Sequence, residues 1–267
     1  MTMPVVIVGG GAGFGALLAE MAVAEGAAAI GIIDINGPAA DAALAPARAA
    51  GLPVAHAACD IRTAPASHAA FAKVAAALGR VDTLVNSAAI YPRRPILEIS
   101  DDDWDASNAI NVKGTYHMMV AAIRQMRTQE PVGHIRGRIV NITSVDAFKA
   151  HPQNAHYAAT KAAVESLVRS MAKELAARKI RVNAVSPGPM KTLAGAAIGG
   201  ARATYRRTEA NAPLRSNATL ESVGGTAVWL ASDYGCFTTG EVVHVDGGYH
   251  VLGMPQQDNL GGAADKG

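Results

Sequence analysis

Val5-Val6-Ile7-Val8-Gly9-Gly10-Gly11-Ala12-Gly13-Phe14-Gly15 is the stretch from which the rest of the chain can be read. Four β-branched residues in a row show no polar alternation, so the run reads as a strand buried on both faces of a parallel sheet. It stops abruptly at glycine. Residues 16–25 then carry helical apolar spacing, Gly26 is a stop signal, and a second apolar run, 28–33, ends at Asp34. Strand, glycine loop, helix, strand and acid make one βαβ unit. A GxGxxG reading fails because Phe14 stands where the third glycine belongs, whereas Gly-x-x-x-Gly-x-Gly is met by Gly9, Gly13 and Gly15. Glycines at such positions let the backbone turn sharply and approach a pyrophosphate seated on a helix N-terminus. A carboxylate at Asp34 can accept hydrogen bonds from both hydroxyls of an adenosine ribose and repels a phosphate on it. Neither Ile35 nor Ala12 offers a basic side chain to hold that phosphate. The expected cofactor is NAD(H) rather than NADP(H).

The alternation runs on outside this unit. Strands are expected at 54–59, 81–85, 138–142, 180–185 and 242–245, with helices at 66–78, 104–126, 157–177 and 220–231. Strands separated by helices predict an α/β fold, a Rossmann-type doubly wound parallel sheet with helices on both faces. We expect a single NAD-binding catalytic domain over 1–254, a lid at about 189–213, and a flexible tail over 255–267. Of the 267 residues, 50% are hydrophobic and 17% charged, a balance that excludes intrinsic disorder. A net charge of +2 is too even for an electrostatic nucleic-acid partner. Cys59 and Cys236 make neither a disulfide framework nor a zinc site. No apolar stretch reaches membrane-spanning length, and the opening Met1-Thr-Met-Pro lacks the basic region of a signal peptide. A soluble, cytoplasmic protein without a metal is expected.

Polar motifs recur after the expected strands: Cys59-Asp60-Ile61, Asn86-Ser87-Ala88-Ala89, Ser144, and Pro187-Gly188. Carboxyl ends of strands are where open α/β sheets bind ligands. Tyr157-Ala-Ala-Thr-Lys161 puts a phenol and an ammonium one helical turn apart on one face. With Asn111 in Asn-Val-Lys-Gly, and Ser144 thirteen positions before Tyr157, this resembles the Asn-Ser-Tyr-Lys tetrad of short-chain dehydrogenases/reductases. The resemblance extends from Gly9 to the Val245-Asp-Gly-Gly248 close. It implies that Tyr157 is the general acid or base, and that Lys161 lowers the phenol pKa from about 10 and holds the nicotinamide ribose. It further implies that Ser144 binds the substrate oxygen and that Asn111 holds a water in a proton relay. By the same resemblance Asp60, with Ile61, contacts the adenine, Asn86 and Ala88 border the ribose, and Pro187, Gly188, Met190 and Thr192 clamp the nicotinamide. Ser87, Ala89 and Val8 depart from the family pattern and weaken individual hydrogen bonds. A homotetramer follows as well, with helices 104–126 and 157–177 in one interface.

Segments 91–95, 145–156 and 192–213 should wall the substrate pocket. They carry Arg93, Arg94, Asp146, His151, Gln153, Asn154 and His156, which suit either a polar or anionic carbonyl compound or simply solvated loops. Arg202, Arg206 and Arg207 are either a basic face of the lid, meeting phosphate or an acidic carrier, or a solvated helix face. From Arg181 onward the chain resembles enoyl-acyl-carrier-protein reductases, in Gly-Pro-Met-Lys-Thr-Leu-Ala at 188–194, Ala-Pro-Leu-Arg at 212–215 and Gly-Glu-Val-Val-His-Val-Asp-Gly-Gly-Tyr at 240–249. Those enzymes place lysine seven residues after tyrosine, and here the spacing is four. The expected reaction is NAD(H)-linked interconversion of a secondary alcohol and a carbonyl compound, with β-ketoacyl or other acyl-thioester substrates left open. The competing readings are C=C reduction and a non-catalytic NAD sensor.

Overall fold

The computed structural model describes residues 3–191 and 201–253. Seven strands form one sheet: β1 (Pro4–Val8), β2 (Ala29–Asp34), β3 (Val54–Ala58), β4 (Thr83–Asn86), β5 (Gly137–Ile142), β6 (Ile180–Pro187) and β7 (Val242–Val245). Their order is β3-β2-β1-β4-β5-β6-β7, and every neighbouring pair is parallel. Every residue of β1, β4, β5 and β6 is buried, as expected for strands covered on both faces. The doubly wound sheet expected from the sequence is the fold.

The helices are α1 (Gly13–Ala24), α2 (Gly37–Ala42), α3 (Ala45–Ala49), α4 (Ala64–Leu78), α5 (Asp101–Ser107), α6 (Thr115–Met126), α7 (Ala155–Leu175), α8 (Ala201–Asn211) and α9 (Leu220–Ala231). They divide the core in two. On one face Phe71 and Val74 of α4, Met118, Met119 and Met126 of α6, and Val168 of α7 pack against Val6, Leu84, Ile139 and Val182. On the other, Leu18 of α1, Leu44, and Val223 and Leu230 of α9 pack against Val5, Ile7, Ile30 and Val140. Burying an aliphatic or aromatic side chain of this size stabilises by about 1.5–3 kcal/mol, so each face anchors the sheet independently.

Two readings of the helices need correction. Residues 37–49 form α2 and α3, which the sequence did not suggest. Their alanines and prolines lack a clear apolar stripe, and Asn36, whose side chain accepts from the Ala39 amide, starts the first of them. The helix expected over 104–126 is present but runs unbroken from Asp101 to Met126, with a π-helical segment (Asn108–Gly114) between α5 and α6. A widened turn of this kind breaks the i to i−4 ladder without changing hydrophobic periodicity much, which hides it from sequence reading. Thr192, residues 192–200 of the expected lid, and the tail from 254 lie outside the described residues. Of the lid's remainder, α8 is helical, with Arg202, Arg206 and Arg207 exposed.

Candidate active site

The strand order reverses direction between β1 and β4, and the loops after these strands and their neighbours open a crevice at the carboxyl edge. On the β1 side Gly9 and Gly15 are required by close approach. A Cβ on Gly15 would stand 2.0 Å from the Gly9 carbonyl oxygen, and one on Gly9 would stand 2.6 Å from the Ala88 backbone. Gly9 also has φ +75°, which only glycine adopts without strain. No side chain caps α1 at Ala12, and no acidic residue lies in its first turn. Its first amides and positive dipole end are therefore available to an anion. At the end of β2, Asp34 accepts from the amides of Gly11 and Asn36, both at 2.9 Å, which fixes its carboxylate beside the glycine loop. Ile35 is 72% exposed, and no cation pairs with Asp34 among the described residues. These features fit a dinucleotide with a free adenosine ribose.

Other expected cofactor contacts are partly committed elsewhere. The Asp60 carboxylate accepts from the Arg62 amide and Nε at 3.1 and 2.7 Å, and that guanidinium holds its pKa below the ordinary value. Ile61 packs under the π segment, where a Cβ on Gly114 would meet it at 2.5 Å. Asn86 is buried and donates to Asn141 Oδ1 at 2.8 Å, bridging β4 and β5. On the far side Pro187, Gly188 and Met190 line the crevice, and the Met190 carbonyl accepts from the Tyr205 hydroxyl at 3.0 Å.

Ser144, Tyr157 and Lys161 line one cavity of about 290 Å³, together with Phe14 and Met190 from the cofactor side. Ser144 follows β5, its Oγ accepting from the Asp146 amide at 3.1 Å. Tyr157 and Lys161 sit in the first two turns of α7, facing inward, with 9% and 5% exposure. Lys161 Nζ donates to the Ile142 carbonyl at 2.9 Å and lies 5.6 Å from the Tyr157 ring centre. Asn111 does not line the cavity. It is buried in the π segment, where its carboxamide donates to the Ile90 carbonyl at 2.9 Å and Thr160 Oγ1 at 3.1 Å and accepts from the Ile90 amide at 2.8 Å. Both ends of its amide are engaged, so it ties the loop after β4 to α7.

The electrostatics differ from one expectation. Burial, and then the nearby Asp146 carboxylate, push the Tyr157 phenol well above its ordinary value, while the Ser144 side chain pulls it down. The Lys161 ammonium is not among the groups that counter this; its Nζ donates to the Ile142 carbonyl. Lys161 itself is pushed down to about 8 by burial, with Glu165 opposing that shift. A phenol held protonated suits proton donation to a developing alkoxide, and a lysine poised near neutrality can change charge in the working range.

Of the expected pocket wall, Tyr91, Arg93, Val145, Asp146 and His151 line the cavity, as do Thr204 and Tyr205 of α8 from the expected 192–213 segment. Arg94, Gln153, Asn154 and His156 do not. Arg94 lies 3.5 Å from Asp103, and His156 is buried against Trp104 with ring centres 6.2 Å apart. Sequence reasoning missed the edge-to-face pair of Tyr91 and Tyr157, with centroids 4.4 Å apart, because one lies in the loop after β4 and the other in α7, 66 positions on. It also missed Tyr249, which stacks on His151.

A family model described as Enoyl-(Acyl carrier protein) reductase matches residues 9–250. The short-chain reductase protein NovJ of Streptomyces niveus is 36% identical over 247 residues, 91% of this chain and 92% of that protein. The chain belongs to the short-chain dehydrogenase/reductase family. This short-chain dehydrogenase/reductase is also 35% identical over 204 residues to enoyl-[acyl-carrier-protein] reductase [NADH] 1 of Rhizobium meliloti (strain 1021), covering 75% of this chain and 72% of that one. The crystal structure of an NAD+-bound xylitol dehydrogenase superposes with a TM-score of 0.82 at 28% identity, covering 92% of this chain and 98% of that one. The short-chain dehydrogenase/reductase is thus an oxidoreductase built for a nicotinamide cofactor.

Proposed function

We propose that this enzyme interconverts a secondary alcohol and a ketone with NAD(H), Tyr157 exchanging the proton. The observation that carries the reading is the convergence of Ser144, Tyr157 and Lys161 on one cavity that opens toward the glycine loop. A bound nicotinamide would supply hydride transfer, and Ser144 and Tyr157 would hold the oxygen of the reacting carbon. Ser144 Oγ and the Tyr157 hydroxyl then form a donor pair at the oxygen where charge develops. In reduction Tyr157 gives its proton to that oxygen; in oxidation it takes the proton back. Lys161 holds the nicotinamide ribose and keeps positive charge beneath the phenol ring. Asp34 selects NAD(H) by filling the space a ribose phosphate would need, and Asp60, Ile61, Asn86 and Ala88 border the adenosine half. Pro187, Gly188, Met190 and Thr192 hold the carboxamide end. Asn111 acts through Lys161's surroundings by fixing the loop after β4 and the Thr160 side chain.

Both the family description and the Rhizobium relative's name favour a second reading, reduction of a conjugated C=C in an acyl thioester. Charge in that reaction develops on an oxygen remote from the carbon receiving hydride, which needs a tyrosine placed differently from one that shares an oxygen with Ser144. The experiment is direct. Enzyme and NADH are offered in turn a simple ketone, a β-ketoacyl thioester and a trans-enoyl thioester. Turnover of either carbonyl compound supports the proposal; turnover of the enoyl compound alone overturns it.

A further inference from the structure

One wall of the cavity is a connected polar cluster that the proton-transfer scheme does not use. Asp146 follows Ser144 by two residues, and its side chain is only 6% exposed. One carboxylate oxygen contacts His151 Nδ1 and the other contacts Asn154 Nδ2. Asn154 also donates to the Tyr91 hydroxyl at 2.8 Å, and Tyr91 lies edge-to-face on Tyr157. A carboxylate only accepts, so the contact to Asp146 fixes His151 Nδ1 as the protonated nitrogen and leaves Nε2 as the ring's second polar atom. Nε2 is 3.4 Å from the Tyr249 hydroxyl, and the two rings stack with centres 5.9 Å apart. That contact is long for a hydrogen bond and leaves room for a closer oxygen.

We infer that His151, oriented by Asp146 and backed by Tyr249, is a substrate-binding residue that takes a second oxygen function, a hydroxyl or carboxylate, close to the reacting carbon. The inference rests on the alcohol–ketone reading above. In a mostly apolar cavity, a few fixed polar groups set the orientation and identity of the ligand. Ser144 and Tyr157 serve the reacting oxygen, while His151 and Arg93 lie on the same cavity. Holding the loop in place does not by itself call for a buried carboxylate, since burying one is costly and an apolar wall would pack as well. Orienting a histidine toward a ligand does call for one. Asp146 is a positioning residue in this scheme, acting through His151.

Three probes on one four-carbon skeleton test this: a secondary alcohol, the matching vicinal diol and the matching β-hydroxy acid, each oxidised with NAD. The diol or the acid should show kcat/KM at least about tenfold above the plain alcohol, since a site built around a hydrogen bond discriminates against a ligand lacking it. Which of the two leads tells hydroxyl from carboxylate. In His151→Phe, which keeps the ring stack on Tyr249, that preference should collapse by about tenfold or more, and His151→Gln should retain part of it. Asp146→Asn should raise KM for the preferred probe more than it lowers kcat. NADH binding to each variant reports whether it has folded. Affinities of the three probes for the enzyme–NADH complex, measured by calorimetry, read the subsite without turnover. His151-dependent binding without any oxidation would sink the alcohol reading and keep the subsite. A preference for the plain alcohol, or one that ignores His151 in both rates and affinities, would overturn the inference.

Discussion

At the scale of single residues, the site depends on where charges are held. Asp34 is fixed by two backbone amides, so it cannot turn away from a ribose phosphate. Replacing Asp34→Ala together with Ile35→Arg should move the kcat/KM ratio from NADH toward NADPH, measured side by side; a wild type that prefers NADPH would refute the ribose reading. Lys161 carries a sharper signature. Its pKa in the folded protein is about 8, below the ordinary 10.5, so its burial penalty is fully present below about 8. Between those values the unfolded chain binds more protons, and this group's contribution to stability rises with pH. Its positive charge in the site is lost over the same interval, so ketone reduction should decline on the alkaline side. Glu165 favours the charged lysine, and Glu165→Gln should shift that alkaline limb to lower pH in a kcat profile. The tyrosine and lysine were legible as residues one helical turn apart. The direction in which Tyr157 is perturbed was not, because it arises from burial and from Asp146, neither visible in a linear motif.

At the scale of elements, the βαβ start was readable because continuous apolar runs and a glycine loop leave few alternatives. Gly15 shows how tightly it is built. The Cβ of Gly15→Ala would collide with the Gly9 carbonyl, so this change should cost stability and weaken NADH binding together, seen in thermal melts and fluorescence titration. The π segment was illegible, since its identity depends on Asn111 bonding to a loop 21 residues earlier. Asn111→Ala should strand the Ile90 amide and carbonyl, at a cost of about 1–3 kcal/mol. A chain of this size loses about 2–4 °C of melting temperature per kcal/mol, a shift that calorimetry resolves. An unchanged melt would mean that Asn111 serves only the proton pathway. Helices α2 and α3 escaped detection for a related reason: alanine-rich turns acquire their buried side only when Ala40, Leu44 and Ala47 meet the sheet.

At the scale of the whole molecule, parallel pairing followed from the alternation of runs, and the segments of the substrate wall were legible apart from Tyr249, while the strand order was not. That wall is assembled from the loop after β4, the loop after β5, α8 and the Tyr249 region, which approach one another only in the fold. We expect a homotetramer; sedimentation equilibrium showing a monomer at micromolar concentration would contradict it. The account as a whole turns on one phenol. Tyr157→Phe removes the proton-transfer group and leaves the cofactor cradle in place. Single-turnover ketone reduction by that variant, with NADH affinity measured on the same preparation, should show a rate loss of about 10²–10⁴-fold with the affinity preserved; a rate near the wild type's would contradict the mechanism.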